Sequence, residues 1–140
     1  LRLTKLALTT GFRRSELLNL TWRNIDLKKN KIYVQRKECA ARGGPNSMRI
    51  VPLPSNAKKL LRSFESKEGK VFSFTKGAAR NGFDKARKRA GLETLRFHDL
   101  RHIAISRMWS SGMNALEISA CSGHRDIKML MRYSHYQLTF

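Results

Sequence analysis

Acidic residues are scarce in this chain, which has 10 Asp and Glu among its 140 residues against 29 Lys and Arg. The formal net charge is therefore +19, which gives a folded domain a strong positive field and indicates a polyanionic partner. The basic residues recur along the whole sequence instead of forming one tail. By itself, this composition favours a nucleic-acid binder without chemistry, of the ribosomal or chromatin type, over an enzyme.

Cysteines are few and long apolar runs are missing. Cys39 and Cys121 are the only cysteines and no Cys-x-x-Cys spacing occurs, so a zinc site would lack ligands. With no signal-peptide pattern, these cysteines favour a reducing, cytoplasmic compartment. No apolar run approaches the roughly 18 residues of a membrane span, so we expect no membrane partner. Because the chain starts at Leu1 without a methionine, we expect a fragment of a longer protein.

Apolar periodicity predicts a mainly α-helical domain with one small antiparallel β element, an α+β fold. Helices are expected at residues 1–9, 15–20, 55–64, 79–90, 100–108, 114–122 and 127–131, with a short extended piece at 71–74. In the fourth helix, the expected buried stripe consists of Ala79, Phe83, Ala86 and Ala90. We find no internal repeat and no low-complexity linker, so a single domain is expected.

The β element is predicted to be a hairpin with a long tip. Residues 31–35 alternate with Ile32 and Val34 on one face, and the second strand resumes at residues 48–53 with Met48 and Ile50 as its apolar positions. Between the strands lies a basic loop with the sequence Gly-Gly-Pro-Asn at 43–46. Such glycine-rich and proline-containing connections are typical of hairpin loops.

Four short segments contain residues that are suited to chemistry. They are the arginine pair at 13–14 with Glu16 behind it, Lys37 on the hairpin, the histidine and arginine at 98 and 101, and His124 followed by Tyr133. Taken singly, each has a simpler explanation. An isolated arginine or lysine is usually a surface charge, a histidine at a helix start is more often a cap, and a tyrosine on an amphipathic helix is by default half-buried.

Together, the same segments resemble the catalytic domain of the tyrosine recombinase (phage integrase) family, in the right order along the chain. Residues 10–18 (Thr-Gly-Phe-Arg-Arg-Ser-Glu-Leu-Leu) resemble the family's first-arginine motif, and residues 49–53 (Arg-Ile-Val-Pro-Leu) the end of its lysine-bearing hairpin. Residues 98–102 (His-Asp-Leu-Arg-His) match its His-x-x-Arg box. Gly-His at 123–124 and Tyr-Ser-His at 133–135 resemble its last two motifs, and Tyr133 follows His124 at the family's usual distance.

The resemblance implies a site-specific DNA recombinase that cleaves and rejoins strands through a 3′-phosphotyrosyl intermediate. Its catalytic residues would be Arg13, Lys37, His98, Arg101, His124 and Tyr133. Tyr133 would be the nucleophile, while Arg13 and Arg101 would bind the nonbridging oxygens of the scissile phosphate. Lys37 would donate a proton to the leaving 5′-oxygen.

The two histidines complete the implied set, with His98 as a general acid or base and His124 as a hydrogen-bond donor to the phosphoryl group. Glu16 is expected to give structural support. Two arginines suit this chemistry, because their planar forks bind anionic oxygens with charge-assisted hydrogen bonds. A phenol with a pKa of about 10 needs a cationic setting or a nearby base to attack at neutral pH. The sequence has no carboxylate cluster suited to Mg²⁺, which agrees with a mechanism that uses no metal, cofactor or ATP.

The partners implied are double-stranded DNA and further protomers in a tetrameric synapse, on the nucleoid of a bacterial or phage-infected cell. The expected DNA-binding residues, of which the helical ones lie on the basic faces of residues 79–90, are Arg36, Arg42, Arg80, Lys85, Arg87 and Lys88. An N-terminal DNA-binding domain would lie outside residues 1–140, which form the catalytic domain. Two alternatives remain, a type IB topoisomerase-like enzyme and a basic DNA-binding module that has lost catalysis.

Departures from the family pattern identify the positions that need testing. The hairpin is longer than usual between Lys37 and Val51, so Arg36 and Arg42 are rivals of Lys37 as general acid. Arg14 replaces an apolar residue and competes with Arg13 for the phosphate. Cys-Ser at 121–122 replaces an apolar pair, a change expected to affect packing only. Tyr136 is a rival nucleophile, and only seven residues follow Tyr133.

Overall fold

Helices form most of the protein in the computed structural model, which describes residues 1–36 and 47–137. The elements in chain order are α1 (Arg2–Thr10), α2 (Arg14–Asn19), a 3₁₀ turn (Trp22–Asn24), β1 (Ile25–Asp26), β2 (Lys31–Gln35), β3 (Met48–Pro52), α3 (Ser55–Arg62), α4 (Lys76–Arg89), α5 (Phe97–Ser110), α6 (Ala115–Ser122), α7 (Ile127–Met131) and a last 3₁₀ turn (Ser134–Gln137). The predicted class, mainly α with a small antiparallel sheet, is confirmed. None of the helices in these ranges is long and apolar enough to cross a membrane.

The sheet has three antiparallel strands in the order β1-β2-β3, so the predicted hairpin has gained a short edge strand. Ile32 pairs with Val51, and Val34 pairs with Arg49. The inward positions of β3 are therefore Arg49 and Val51, whereas Ile50 is 53% exposed. The prediction that Met48 and Ile50 form the apolar face was wrong. The inward positions are shifted by one residue, because an arginine occupies one of them.

Two apolar clusters lie on either side of α5. The larger cluster contains α1, α2, the sheet and α3, with Leu6, Phe12 and Leu61 among its fully buried side chains. The smaller one joins the second half of α5 to α6 and α7 through residues that are nearly or fully buried: Ile105, Trp109, Ile118 and Leu130. Helix α5 contributes to both clusters, Leu100 to the larger one and Ile105 and Trp109 to the smaller one, so its first turns place their polar residues where the clusters meet.

Two glycines end helices at places that matter for the site. Gly11 follows α1 with a φ of 69°, and Gly123 follows α6 with a φ of 73°. Glycine adopts this left-handed conformation without the steric penalty that a Cβ atom brings. The chain therefore turns sharply just before Arg13 in one case and just before His124 in the other.

Helix α4 is more exposed than the sequence predicts. Of the expected buried stripe, Ala79 is buried and Phe83 is half-buried against Phe97 at a ring-centroid distance of 5.2 Å. Ala86 and Ala90, which were expected to be buried, are both exposed. That part of the prediction was wrong. Their methyl groups offer little apolar area to bury, and Phe83 supplies the apolar contact of this helix. The predicted extended piece at 71–74 has two buried residues but forms no strand.

Candidate active site

Arg101 is the centre of the site because α5 turns it inward. Its side chain is only 3% exposed, while His98, which lies one turn earlier on the same helix, is exposed to solvent. The Arg101 Nη1 atom donates a hydrogen bond to the carbonyl oxygen of Gly11 at 2.6 Å, and Nη2 lies 3.2 Å from Nδ1 of His124. One buried guanidinium thus joins the turn after α1 to the turn after α6.

The charge of Arg101 is poorly compensated. Within residues 1–36 and 47–137, no carboxylate forms an ion pair with it. Burial, with the nearby charge of Arg13 acting in the same direction, lowers the pKa of Arg101 to about 10. The side chain still carries its proton at neutral pH. A buried cation beside a second cation is stabilised when an anion enters, so this pair is suited to bind one.

Arg13 is fixed by the start of α2, where it is the N-cap residue. Its backbone N–H donates a hydrogen bond to Glu16 Oε2 at 2.8 Å, and its Nη1 atom lies 3.3 Å from Glu16 Oε1. A side chain that returns to the N-cap backbone in this way is one half of a capping box. The Arg13 side chain remains 36% exposed, so the guanidinium is oriented by Glu16 and still accessible.

Arg49, on strand β3, binds the same Glu16 carboxylate. Its Nη1 and Nη2 atoms donate hydrogen bonds to the two oxygens of Glu16 at 2.8 and 3.2 Å, and Nη2 lies 3.4 Å from the carbonyl oxygen of Cys121. Both partners are nearly buried, with side-chain exposures of 8% and 9%. Burial raises the pKa of Glu16, but the hydrogen bonds and charges of Arg49 and Arg13 outweigh burial and hold that pKa below its ordinary value.

Gly123 is required by the position of Arg49 as well as by its own backbone. A Cβ atom at residue 123 would lie 2.9 Å from the Cζ atom of Arg49, and Glu16 holds that guanidinium in place. Arg49 therefore connects three segments: the β3 strand, the helix that holds Arg13, and the turn that precedes His124. The motifs in the sequence include Arg49 without indicating a role for it. No local sequence pattern indicates that role, because it depends on the distant partner Glu16.

His124 is held as a neutral hydrogen-bond donor. Burial lowers its pKa to about 4, and the charges of Arg101 and Arg13 act in the same direction. Its Nδ1 atom lies 2.7 Å from the Ser122 hydroxyl oxygen and 3.2 Å from Arg101 Nη2. Because a guanidinium only donates, Nδ1 must accept, and the ring hydrogen is then on Nε2. This leaves Nε2–H as the donor, as the role predicted for this residue requires.

The Tyr133 side chain contacts the exposed side of α5. Its hydroxyl forms a hydrogen bond with Nδ1 of His102, and the two rings stack at a centroid distance of 5.8 Å and an interplanar angle of 26°. The His102 ring also lies edge-on to His98 at 4.9 Å. His102 was not predicted to be a site residue, although it is the last residue of the His-Asp-Leu-Arg-His segment and lies one helical turn after His98.

A cleft of about 290 Å³ opens over the arginines, and its lining residues are Phe12, Arg13, Arg14, Arg96, Phe97, His98 and Arg101. Arg14, the expected rival of Arg13, lies over the Phe97 ring at 6.0 Å. The cleft is thus lined by four arginines and a histidine. Its size and charge suit a phosphate group.

The structure brings five of the six predicted catalytic residues into one neighbourhood: Arg13, His98, Arg101, His124 and Tyr133. The sixth, Lys37, lies outside the described residues, as does Arg42. Of the predicted DNA-binding residues, Arg80, Lys85 and Lys88 are exposed on α4, and Arg36 is exposed after β2. Arg87 is instead used inside the protein, where its side chain bonds to Asp84 and to the carbonyl oxygens of Glu93 and Leu95.

Comparison with known proteins identifies the family. The sequence model described as "Phage integrase family" matches residues 1–139. This chain therefore belongs to the phage integrase family, as its motifs indicated.

Named relatives agree with this assignment. The chain is 39% identical over 132 residues to the "Shufflon-specific DNA recombinase" of Escherichia coli, a match that covers 93% of this chain and 33% of the relative. It is 31% identical over 137 residues to the "Tyrosine recombinase XerA" of Saccharolobus solfataricus, with coverages of 96% and 45%. The chain thus spans between a third and a half of these two relatives.

Solved structures share the fold. The catalytic domain of the bacteriophage HP1 integrase is similar with a TM-score of 0.71 and 28% identity, covering 96% of this chain and 73% of that one. A XerH site-specific recombinase bound to difH substrate gives a TM-score of 0.72 at 20% identity, covering 98% of this chain and 42% of that one. The second likeness concerns the fold alone.

Proposed function

We propose that this chain is the catalytic domain of a site-specific DNA recombinase that cuts and rejoins strands through a phosphotyrosine at Tyr133, without metal or ATP. The observation that carries the proposal is the buried guanidinium of Arg101, which lies beside Arg13 and pairs with no carboxylate among residues 1–36 and 47–137. Arg101 lies on the helix that also contacts the Tyr133 hydroxyl. A site of this kind attracts a phosphodiester and presents a phenolic oxygen to it.

The two arginines would stabilise the charge that develops during attack. As the tyrosine oxygen approaches phosphorus, negative charge grows on the nonbridging oxygens, and fixed cations at those oxygens lower the barrier. Arg101 is fixed by the carbonyl oxygen of Gly11, and Arg13 is fixed by Glu16, so neither has to reorganise during the step. His124 would add a neutral N–H donor to the same oxygens.

Proton transfer completes the proposed reaction. The bond from phosphorus to the 5′-oxygen breaks, and that oxygen needs a proton because an alkoxide is a poor leaving group. Lys37, which lies outside the described residues, is the proposed donor. The phosphotyrosine conserves the energy of the broken bond, so a second 5′-hydroxyl can reverse the step on another strand without ATP.

Double-stranded DNA is the proposed partner, and a tetramer of protomers on two duplexes is the proposed assembly. DNA binding is supported by the net charge of +19 and by exposed basic residues on α4, where Arg80, Lys85 and Lys88 face solvent. It is also supported by the XerH recombinase of similar fold, whose structure was solved bound to its difH substrate. A further DNA-binding domain in a longer protein is proposed from the relatives, whose chains extend beyond the matched part.

The test is capture of the covalent adduct on DNA whose target site has been mapped by sequencing insertion junctions in cells. Tyr133→Phe should bind this DNA normally and form no adduct, because only the phenolic oxygen is removed. Tyr136→Phe is the matched control and should form the adduct as the parent does. A peptide fragment that carries the DNA on Tyr136 would contradict the assignment.

Two further arms separate the alternatives. Cleavage should persist in excess EDTA, since the arginines supply the positive charge that a metal would otherwise provide. Exchange of strands between two duplexes is expected of a recombinase, whereas relaxation of supercoils without exchange would identify a topoisomerase-like enzyme. DNA binding without any adduct would identify a non-catalytic module.

A further inference from the structure

Tyr133 is held in place within its own chain. Its backbone N–H donates a hydrogen bond to the carbonyl oxygen of Leu130 at 2.9 Å, and Leu130 is fully buried. The Tyr133 ring packs against the small cluster that includes Ile105 of α5. Helix α5 thus contributes both part of the cluster against which the Tyr133 ring packs and, through His102, the hydrogen-bond partner of its hydroxyl.

His102 contacts the atom that would react. Its Nδ1 atom is hydrogen-bonded to the Tyr133 hydroxyl, and the near-parallel stacking of the two rings keeps that nitrogen beside the phenolic oxygen. His102 is exposed, so its ring nitrogens can exchange protons with solvent. An imidazole is a suitable general base near neutral pH, and it must lie within hydrogen-bond reach of the proton that it removes.

We infer that His102 is the general base for Tyr133, in contrast to His98 of the His-x-x-Arg box, and this inference rests on the proposed function. In cleavage, the phenolic proton moves to Nδ1 of His102 as the tyrosine oxygen forms its bond to phosphorus. The bond to the 5′-oxygen breaks, and that oxygen takes its proton from a separate acid. In rejoining, an incoming 5′-hydroxyl gives its proton to that same acid, now deprotonated, as its oxygen attacks phosphorus, and protonated His102 returns its proton to the departing phenolate.

The titratable neighbours of His102 include two further histidines and one carboxylate, while the Arg101 cation acts on Tyr133 itself. His98 lies edge-on to it along α5, and its pKa is lowered by burial and by the charges of His102 and Arg101. From the turn after α6, the His124 ring lies within electrostatic range of His102. The Asp99 carboxylate lies within electrostatic range of His102 as well. The charge of Arg101 interacts with Tyr133, and this cation stabilises the phenolate that loss of the proton creates.

The base must be neutral to act, so on the acidic side the cleavage rate of the parent should rise with pH. His102→Asn keeps a polar atom near the Nδ1 position but cannot take the proton. We expect this variant to bind nicked target DNA normally and to form the Tyr133 adduct about 10²–10⁴-fold more slowly, the range for a lost general base. The slope of log rate against pH on the acidic side should also fall by about one, because one titrating base is removed.

Chemical rescue distinguishes a base from a residue that only positions the tyrosine. His102→Ala opens space at an exposed site, and added imidazole should restore its cleavage in proportion to the neutral imidazole present. Ser110→Ala, an exposed change on the same helix, is the matched control and should cleave at the parental rate without a response to imidazole. Circular dichroism and thermal melting confirm that each variant is folded.

The outcomes are distinct for each proposal. If the parent protein forms no adduct on its mapped site, the proposed function fails and the inference fails with it. If the parent forms the adduct and His102→Asn cleaves equally fast, the inference alone is overturned. It is also overturned if His102→Ala is slow and unresponsive to imidazole, or if imidazole rescues His98→Ala instead.

Discussion

The site has a buried half and an exposed half, and the two halves suit different tasks. The buried half contains the charged groups Arg101, Arg49 and Glu16, which are fixed by contacts inside the protein. The exposed half contains His98 and His102, which face solvent beside α5. Groups that stabilise charge are most effective when they are fixed before the reaction, whereas groups that exchange protons need access to substrate and water.

Burying charged groups costs free energy, and this cost explains how the buried half is arranged. A buried ion pair loses hydration that its attraction only partly returns, and removal of one partner leaves an uncompensated charge. Glu16 is the carboxylate that lowers this cost for Arg13 and Arg49 together. Arg101 receives no such partner among residues 1–36 and 47–137, and this is where a phosphate would supply the missing negative charge.

The largest expected effect separates proton donors from charge-stabilising groups. If Lys37 protonates the leaving 5′-oxygen, Lys37→Ala should slow cleavage by about 10²–10⁴-fold. Replacement of the bridging oxygen by sulfur gives a leaving group that is stable as a thiolate, so the variant and the parent should then cleave at nearly equal rates. Rapid-quench measurements on both substrates test this. Rescue of Arg36→Ala or Arg42→Ala instead would assign the acid to that arginine.

Arg101 provides the opposite result on the same two substrates. Arg101→Lys should slow cleavage by about 10²–10³-fold, the loss seen when one donor to a developing oxyanion is removed. A lysine has no planar fork of donors. It therefore cannot bind the carbonyl oxygen of Gly11 and a phosphate oxygen at the same time, as the arginine can. The sulfur substrate should give no rescue, because the defect concerns the nonbridging oxygens. Equal rescue of Arg101→Lys and Lys37→Ala would remove the distinction between proton donors and charge-stabilising groups.

Sequence reasoning predicted the helices better than the buried charge of Arg49. Apolar periodicity located the seven helices of residues 1–36 and 47–137, and a hydrophobic pattern is sufficient for that because it directly reflects burial. The same rule failed at β3, where Arg49 takes the inward position that was expected of Met48 or Ile50. A buried arginine depends on a distant partner, in this case Glu16, which no local pattern reveals.

His102 was missed for a related reason. Its position one turn after His98 predicts that the two share a helix face, but its contact with Tyr133 depends on how α7 returns to α5. The motif predicted which residues belong to the site. It could not identify which histidine touches the tyrosine, because that depends on packing between helices that are distant in sequence.

The next effect concerns stability, and it tests the buried half alone. Arg49→Met removes one partner of a buried pair and should lower the free energy of unfolding by about 3–5 kcal/mol, measured by urea titration. The double variant Arg49→Met with Glu16→Gln should recover part of this loss, since no unpaired charge is then buried. A single variant as stable as the parent would show that the pair contributes no net stability.

The pH dependence of the same proteins gives an independent measurement. The pKa of Glu16 is lowered in the folded protein from its ordinary value of 4.5. Its contribution to stability is therefore complete above that value and is lost as pH falls through the lower, folded value. In Arg49→Met the largest lowering influence is gone and burial still raises this pKa, so acidification through this range should cost the variant less stability than it costs the parent. An unchanged acid profile would show that Arg49 does not set the pKa of Glu16.

The smallest effect compares an exposed and an internally held cation on α4. Lys88 is exposed, and if it contacts a phosphate, Lys88→Gln should weaken DNA binding a few-fold and reduce the slope of log affinity against log salt by about 0.9. Arg87 is only one residue away, but its side chain bonds to Asp84 at 2.9 Å and to the carbonyl oxygen of Leu95 at 3.2 Å. Arg87→Gln should therefore lower the melting temperature and leave the salt slope nearly unchanged. Fluorescence anisotropy at several salt concentrations measures both slopes. If the two variants lose the same slope, Arg87 leaves its internal partners when DNA binds, and α4 cannot be divided into exposed and held cations.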